Sequence, residues 1–233
     1  LGTAITIMLM PAGMLLAAGT LPRTLGAGLG IAGLVSLLAV WFEPYRRARL
    51  FSFVNPWHDA QGAGYQTVQA IIGMGSGGIF GRGLGQSIEK ANFLPEAHTD
   101  MIFAIIGEEL GLVGATAVIA AYAAFAYFGF RIALRCKDPF GKRLAAGLTV
   151  LVCGQAAINL AAVMGLAPLT GIPLPFVSYG GSSLVVALAS VGVLLNIAGN
   201  AGAASARVPD RSRGDGRPRP ARARGRRGAA GAG

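Results

Sequence analysis

The chain has 233 residues, of which 53% are hydrophobic and 13% charged, and its formal net charge is +10. A soluble domain of this composition would expose more apolar surface than its polar residues could cover, so an ordinary soluble protein is excluded and a membrane protein is indicated. The net charge does not indicate a nucleic-acid-binding core. Nine of the 20 basic residues are arginines between Arg207 and Arg227, and residues 1–206 carry 11 basic and 8 acidic side chains.

Apolar segments recur along the chain from its first residue. Because Leu1 lies inside such a segment and no basic leader precedes it, we expect the chain to be a piece of a longer protein. A membrane-crossing helix needs about 20 mostly apolar residues. The segments of this kind are 2–19, 25–42, 101–130, 144–166 and 182–200. Their frequent glycines are typical of helices that approach one another closely within lipid.

The basic residues predict the topology, because Lys and Arg near the ends of spans favour the cytoplasmic side. An even number of crossings must separate the basic clusters at 46–49 and 131–143, yet only 101–130 is plainly apolar between them. We therefore expect a cryptic span or deep re-entrant helix at about 64–81, buried by protein because its side chains are partly polar. Six crossings result, and they place the loops 82–100 and 167–181 on the outer face.

The segment 201–233 is rich in Gly, Ala, Pro and Arg and contains no aromatic residue. It has no means of burying a core, so we expect a disordered, basic cytoplasmic tail. Attraction to anionic lipid headgroups explains such a tail, and RNA binding is the alternative.

The loop 81–100, GRGLGQSIEKANFLPEAHTD, is the densest group of ionisable side chains outside the tail. Asp100 directly precedes a long apolar helix. A carboxylate at this position either caps the helix by accepting backbone N–H bonds or takes part in the chemistry of a site. The other ionisable residues of the loop are Arg82, Glu89, Lys90, Glu96 and His98.

Two acids, Glu108 and Glu109, lie within the apolar helix that follows. Acids inside a membrane are costly and usually face a protein interior or a water-filled cavity, so both are candidates for a functional site. The alternative is structural, with one glutamate pairing with a buried arginine or capping a broken helix. Asp100 lies roughly 12–14 Å along the helix axis from them.

The second outer loop lies within the segment GLAPLTGIPLPFVSYGGSS, residues 165–183, and ends at the start of the last helix. Its hydroxyls and main-chain N–H groups there are able to bind a phosphate, although a simple turn and cap would give the same pattern. The residues concerned are Ser178, Tyr179, Gly180, Gly181, Ser182 and Ser183. No nucleotide, serine-hydrolase or zinc motif accompanies them. No cofactor is identified, and the use of a divalent cation is left open.

Four motifs together resemble one family. They are FLPEAHTDMIFAIIGEELGLVG at 93–114, GIPLPFVSYGGSS at 171–183, EPYRRAR at 43–49 and NPW at 55–57. In order and spacing, residues 1–200 resemble the SEDS family, which contains FtsW, RodA and SpoVE, and Ala97 favours the FtsW or SpoVE branch. The resemblance implies an all-α integral membrane protein, a polytopic helical bundle of ten spans of which about six lie in this chain. The membrane domain is then 1–200.

The resemblance also implies a peptidoglycan glycosyltransferase that polymerises lipid II during bacterial cell division. Asp100 of the HTD motif is then the general base, which takes the proton from the acceptor GlcNAc 4-hydroxyl while the donor sugar is inverted and undecaprenyl diphosphate leaves. Lys90 and Arg82 are expected to stabilise the diphosphate. Glu96 and His98 are expected to shape the site, with His98 as the alternative base.

The expected partners are lipid II, a class B penicillin-binding protein, other division proteins and membrane lipid, but not nucleic acid. The expected location is the bacterial plasma membrane at the septum, with the site on the outer face. Two rival functions remain open. The first is a lipid II flippase, in which Gln155 and Asn159 line a path through the membrane, although interhelical hydrogen bonds explain these two amides more simply. The second is a non-catalytic scaffold of the division machinery.

Overall fold

The fold is helical throughout the residues that the computed structural model describes, namely 2–19, 22–42, 47, 51–62, 64–87 and 99–206, and these contain no strand. The described helices of more than eight residues are α1 (Gly2–Ala17), α2 (Pro22–Trp41), α3 (Tyr65–Gly77), α4 (Ile102–Arg135), α5 (Pro139–Val163) and α6 (Gly181–Ala206). A short 3₁₀ helix, Pro56–Asp59, precedes α3. The predicted all-α class is confirmed.

Three helices in the described part of the chain are long and apolar enough to cross a membrane: α4, α5 and the Gly181–Asn200 portion of α6. Helices α1 and α2 occupy the other two predicted apolar segments. The helices around the basic cluster are longer than predicted, since α4 continues to Arg135 and α5 begins at Pro139. Charged side chains can extend a helix beyond its apolar part, so hydropathy underestimates its length. The predicted total of six crossings stays a prediction.

Helix α5 lies at the centre of the bundle and packs against α1 and α4, with smaller contacts to α3 and α6. Small residues allow this close packing. A Cβ on Gly129 of α4 would lie 2.3 Å from Thr149 Oγ1 of α5, so the Thr149 side chain packs directly against the backbone of α4. The principal core cluster is Ala70, Met101, Phe103, Ala104, Ile105, Ala156, Leu160, Val163 and Leu174.

Helix α3 forms in the semi-polar stretch predicted at 64–81 and packs against α4 and α5. Its buried residues include Thr67, Val68 and Ala70, as expected for a helix that protein covers. At 13 residues the helix is about 20 Å long, which is less than the roughly 30 Å hydrocarbon core of a bilayer. Whether the stretch 64–81 completes a crossing stays a prediction. After Gly77 the chain runs along α4, to which it is joined by main-chain hydrogen bonds.

Helix α4 is interrupted at Gly111, whose backbone (φ 65°, ψ −158°) is not helical. The sequence predicted a single span at 101–130, and a broken helix was considered only as the setting in which one of the two glutamates would act as a cap. In an unbroken helix the amides of Leu112 and Val113 would donate to the carbonyls of Glu108 and Glu109. The break removes both bonds, and inside a membrane such main-chain groups need other partners.

The segment 78–83 supplies those partners. Four main-chain hydrogen bonds join it to α4: Arg82 N to Glu108 O (3.0 Å), Gly83 N to Glu109 O (3.0 Å), Leu112 N to Gly78 O (2.9 Å) and Val113 N to Ile79 O (3.2 Å). A Cβ on Gly111 would lie 2.4 Å from Gly81 N. Glycine at position 111 therefore permits both the positive φ and the close contact with the segment 78–83. The chain after α3 therefore replaces part of the hydrogen-bond ladder of α4.

Candidate functional site

The buried acid Glu108 is held by groups from the segment after α3. Its side chain is 1% exposed, its Oε2 accepts a hydrogen bond from Ser87 Oγ at 2.5 Å, and its Oε1 lies 3.6 Å from Arg82 Nη1. A buried carboxylate is tolerated when a cation and a hydrogen bond compensate it. The structure thus pairs this acid with an arginine, although Arg82 is 39% exposed and not buried, and a functional role for Glu108 stays a prediction.

Glu109 has a different environment, although it is the next residue. Its Oε1 is buried and has no hydrogen-bond partner among the described residues. Its main-chain oxygen accepts the Gly83 amide described above. The two acids are therefore not equivalent, since Glu108 is neutralised by Arg82 and Glu109 has one uncompensated oxygen.

Asp100 lies one residue before the N-cap of α4, which is Met101. The side chain is partly buried, and Asp100 Oδ1 accepts a hydrogen bond from Thr99 Oγ1 at 3.3 Å. Its main-chain oxygen accepts a hydrogen bond from Asn159 Nδ2 at 2.8 Å. Asp100 therefore does not occupy the N-cap position, which was the structural alternative for this residue.

The two predicted outer loops meet at α5. Asn159 Nδ2 also donates to Ile172 O at 2.7 Å, so one amide joins the residue before α4 to the loop between α5 and α6. Gln155, one turn earlier, donates from Nε2 to Pro173 O at 2.9 Å. These amides were expected to form interhelical bonds or to line a path through the membrane. Their side chains instead bind main-chain oxygens beyond the ends of α4 and α5.

The loop between α5 and α6 also has internal and interhelical bonds. Leu174 N donates to Ser178 Oγ at 2.7 Å, and Tyr122 of α4 donates its hydroxyl to Pro175 O. Phe176 adopts a positive φ of 67°, which is unusual for a residue other than glycine. This loop therefore has a defined shape fixed from both α4 and α5.

The predicted substrate-binding residues at the start of α6 differ in access. Ser178 is 8% exposed and its hydroxyl is used within the loop, whereas Tyr179 is 80% exposed. Gly180 O accepts bonds from the Leu184 amide at 3.0 Å and the Ser183 hydroxyl at 2.9 Å, which forms the first turn of the helix. The remaining predicted residues are Gly181, which begins α6, and Ser182, which is exposed.

A cavity of about 500 Å³ lies between α1, α5, the loop and α6. Its polar lining residues are Gln155, Thr170, Ser182, Ser183 and Ser190, and its apolar ones include Met10, Leu151, Ile172 and Val186. Gly171 belongs to the same lining, and a Cβ on that residue would lie 3.9 Å from Asp100 Oδ2. An amphipathic cavity therefore adjoins the loop position that Asp100 faces.

Three predicted site residues, Lys90, Glu96 and His98, lie outside the described residues. Within the described ranges, no group of three or more His, Cys, Asp or Glu side chains could hold a metal ion. Sequence reasoning missed Ser87, Tyr122 and the helix break at Gly111. From the sequence, Asn159 was expected only to be a polar residue within a span. The signal for its role was the spacing of four residues between Gln155 and Asn159 in an apolar run, which puts both amides on one face of the helix.

The fold and the polar residues at the loop ends define a polytopic helical membrane protein with a candidate site where two loops converge. The FtsW/RodA/SpoVE family, described as "Cell cycle protein", matches residues 1–202. The chain belongs to this family.

Individual relatives support the same family assignment. The chain is 45% identical over 201 residues to the "Probable peptidoglycan glycosyltransferase FtsW" of Geobacter sulfurreducens, covering 84% of this chain and 53% of that protein. It is 47% identical over 169 residues to "Stage V sporulation protein E" of Bacillus subtilis, covering 72% and 46%. The chain thus spans about half the length of the curated relatives it matches.

A solved structure agrees on the fold. A chain from "Structural coordination of polymerization and crosslinking by a peptidoglycan synthase complex" matches with a TM-score of 0.67 and 30% identity, covering 86% of this chain and 56% of that one. A helical membrane bundle of this family is therefore the correct description of the chain.

Proposed function

We propose that this chain forms part of a peptidoglycan glycosyltransferase that polymerises lipid II into glycan strands during bacterial cell division. Family membership and relatives named as probable peptidoglycan glycosyltransferases support the proposal. The observation that carries it is the position of Asp100, a carboxylate held where two loops converge beside an amphipathic cavity. An amphipathic cavity suits a substrate with a polar sugar headgroup and an apolar chain.

In this proposal Asp100 is the general base. It removes the proton from the 4-hydroxyl of the acceptor GlcNAc, and that oxygen attacks the anomeric carbon of the donor MurNAc. The bond from that carbon to the diphosphate breaks, the anomeric centre is inverted, and undecaprenyl diphosphate leaves with the bonding electron pair. General-base catalysis of this kind typically contributes about 10²–10⁴-fold in rate.

Stabilisation of the leaving diphosphate is assigned to Lys90 and Arg82. Because Arg82 already shares its charge with Glu108, Lys90 carries the larger part of this role. Glu96 and His98 are proposed to shape the site from the same loop. Tyr179 and Ser182, both exposed beside the start of α6, are better placed to meet a substrate than the buried Ser178.

The proposed partner is a class B penicillin-binding protein, which would crosslink the new strand within the division machinery. The similar solved structure is a peptidoglycan synthase complex that coordinates polymerisation and crosslinking, and this supports the assignment. The proposed location is the bacterial plasma membrane at the septum, with Asp100 on the outer face and the tail after residue 201 in the cytoplasm.

The test is lipid II polymerisation by the full-length protein, purified with its penicillin-binding partner, comparing wild type, Asp100→Asn and Asp100→Glu. The asparagine has the shape of aspartate but cannot accept the proton, so glycan strands should form with wild type and be lost with Asp100→Asn. The glutamate keeps a base in a displaced position and should retain part of the activity. Co-purification of the partner and an unchanged melting temperature serve as folding controls.

The remaining outcomes separate the rival functions. Equal polymerisation by wild type and Asp100→Asn would show that Asp100 is not the base. Absence of polymerisation by wild type, with lipid II still crossing vesicle membranes, would favour the flippase. If neither polymerisation nor transport occurs while the division partners still bind, the scaffold alternative is favoured.

A further inference from the structure

We propose that Asn159 is a positioning residue for Asp100. In this inference its amide clamps the main chain at Asp100 to the loop between α5 and α6, and this fixes where the Asp100 carboxylate lies relative to the cavity. The inference rests on the proposed function, because it assigns to Asn159 a role that acts through the proposed general base.

The hydrogen bonds of Asn159 define the orientation of its amide. The residue is 2% exposed, and its NH₂ group donates to the main-chain oxygens of Asp100 and Ile172 at 2.8 and 2.7 Å. Because both partners are acceptors, only the NH₂ end of the amide can face them. The opposite end, Oδ1, is buried without a hydrogen-bond partner among the described residues. The amide thus satisfies two main-chain oxygens while its own oxygen stays unsatisfied.

The clamp acts at the part of the chain that determines the direction of the Asp100 side chain. Met101, the next residue, is 0% exposed, so the main chain is fixed immediately after Asp100 as well as at its carbonyl. On the other side of the clamp, Ile172 follows Gly171, and Asp100 Oδ2 lies 3.9 Å from the place of a Cβ on that glycine. The Asn159 bonds therefore set the separation between the carboxylate and the cavity lining.

Gln155 provides a matched control on the same face of α5. It lies one turn before Asn159 and donates to Pro173 O, the residue after Ile172, at 2.9 Å. Its contact therefore holds the same loop, and its described bond does not involve Asp100. A change at Gln155 tests the loop attachment and the cavity lining to which Gln155 belongs, whereas a change at Asn159 tests the loop attachment and the position of Asp100 together.

The experiment compares Asn159→Asp with Gln155→Glu in the full-length protein purified with its partner, with lipid II as substrate. Each substitution keeps the shape of the side chain and replaces an NH₂ donor by a carboxylate oxygen that repels the main-chain oxygens. We expect Asn159→Asp to lower kcat by about 100-fold with KM unchanged, the effect of about 1 Å of misplacement at a reacting group. Gln155→Glu places a charge in the cavity lining, so it should act mainly on KM, and its loss of kcat should stay well below that of Asn159→Asp because no reacting group moves.

A second pair keeps the inference testable if the carboxylate variants do not fold. Asn159→Gln and Gln155→Asn each retain the amide and shift it by one methylene. Asn159→Gln should lower kcat by about 10-fold, a smaller misplacement than that of Asn159→Asp. Gln155→Asn changes the cavity lining, so it should act mainly on KM and lower kcat by less than Asn159→Gln. Asn159→Gln should therefore keep more activity than Asn159→Asp. This is expected of a positioning role, because the longer side chain still offers an NH₂ donor to the same main-chain oxygens.

Besides full activity of Asn159→Asp, two results would overturn the inference. One is an equal loss of kcat for Asn159→Asp and Gln155→Glu; the other is a raised KM for Asn159→Asp with kcat intact. Each would show that Asn159 serves the loop and not Asp100. Asp100→Asn measured in parallel distinguishes this failure from that of the proposed function. If Asp100→Asn is inactive and Asn159→Asp fully active, only the inference is wrong, whereas an active Asp100→Asn removes the proposed base itself.

Discussion

Arg82 and Glu108 form an ion pair beside the break in α4, with 3.6 Å between Nη1 and Oε1. The two side chains differ in exposure, since Glu108 is 1% exposed and Arg82 is 39% exposed. Water can solvate the guanidinium if its partner is removed, but it cannot reach the carboxylate equally well. The two halves of this pair should therefore respond differently to substitution.

Replacing Arg82 by Ala should lower the free energy of unfolding by about 2–3 kcal/mol. Breaking a fully buried pair costs roughly 3–5 kcal/mol, and the partial exposure of Arg82 reduces that cost. Glu108→Gln should cost less than about 1 kcal/mol, because the Gln side-chain oxygen can still accept the Ser87 hydroxyl and Arg82 turns to water. Thermal unfolding of the full-length protein in detergent measures both changes.

The double variant Arg82→Ala, Glu108→Gln provides the control for the ion pair. Removing the buried charge together with its partner should recover most of the stability that Arg82→Ala loses, so the two effects should not add. A double variant less stable than Arg82→Ala alone would contradict this account. Arg82 would then stabilise the protein through the packing of its side chain and not through the Glu108 charge.

The contact between α3 and α4 predicts opposite effects for two neighbouring glycines. A Cβ on Gly77 would lie 2.0 Å from Gly107 O, whereas a Cβ on Gly75 would meet nothing within 4 Å. Gly77→Ala should therefore force the helices apart and lower the free energy of unfolding by about 3 kcal/mol or more. Gly75→Ala should be neutral or raise it by up to about 1 kcal/mol, since alanine favours the helix.

Melting temperatures of the two alanine variants, measured in the same detergent, test this contact. Because both substitutions add one methyl group to the same helix, a general effect of alanine on α3 would appear in both. Equal stability of the two variants would show that α3 does not pack against α4 at Gly107. A destabilised Gly75→Ala would show that the exposed face of α3 is covered in the full-length protein.

Much of the fold could be predicted from hydropathy, because the composition of a membrane helix is dictated by the apolar solvent around it. Each of the helices α1 to α6 lies mainly within a predicted segment, and even α3 was expected, from the positions of the basic residues. A broken helix was one of the alternatives for the two glutamates, but the position of the break at Gly111 could not be predicted. Gly is common in membrane helices, and the partners of the freed main-chain groups lie about 30 residues earlier, at 78–83.

The candidate site was predictable in its residue types but not in its contacts. An acid before a long helix identified Asp100, and two acids inside a span identified Glu108 and Glu109. Which glutamate is neutralised depends on the helical position facing Arg82, and Asn159 joins Asp100 across 59 residues. Such pairings follow from tertiary packing, and local sequence patterns carry no information about them.

Ser178 and Ser182 test whether the loop before α6 binds substrate or only maintains its own shape. The Ser178 hydroxyl is buried and accepts the Leu174 amide at 2.7 Å, whereas Ser182 is exposed in the first turn of α6 and lines the cavity. Ser178→Ala should leave the buried amide unsatisfied and lower the free energy of unfolding by about 1–3 kcal/mol. Ser182→Ala should change the stability by less than about 0.5 kcal/mol.

Melting temperature and KM for lipid II, measured on both variants of the full-length protein, distinguish the two roles. We expect Ser178→Ala to melt earlier with little change in KM, because its hydroxyl is directed to the loop's own main chain. Ser182→Ala should keep the melting temperature of the wild type and raise KM, because the Ser182 hydroxyl lines the cavity and is expected to contact the substrate headgroup. A stable Ser178→Ala with a raised KM would reverse the assignment, because the hydroxyl would then bind substrate after a rearrangement that releases the Leu174 amide.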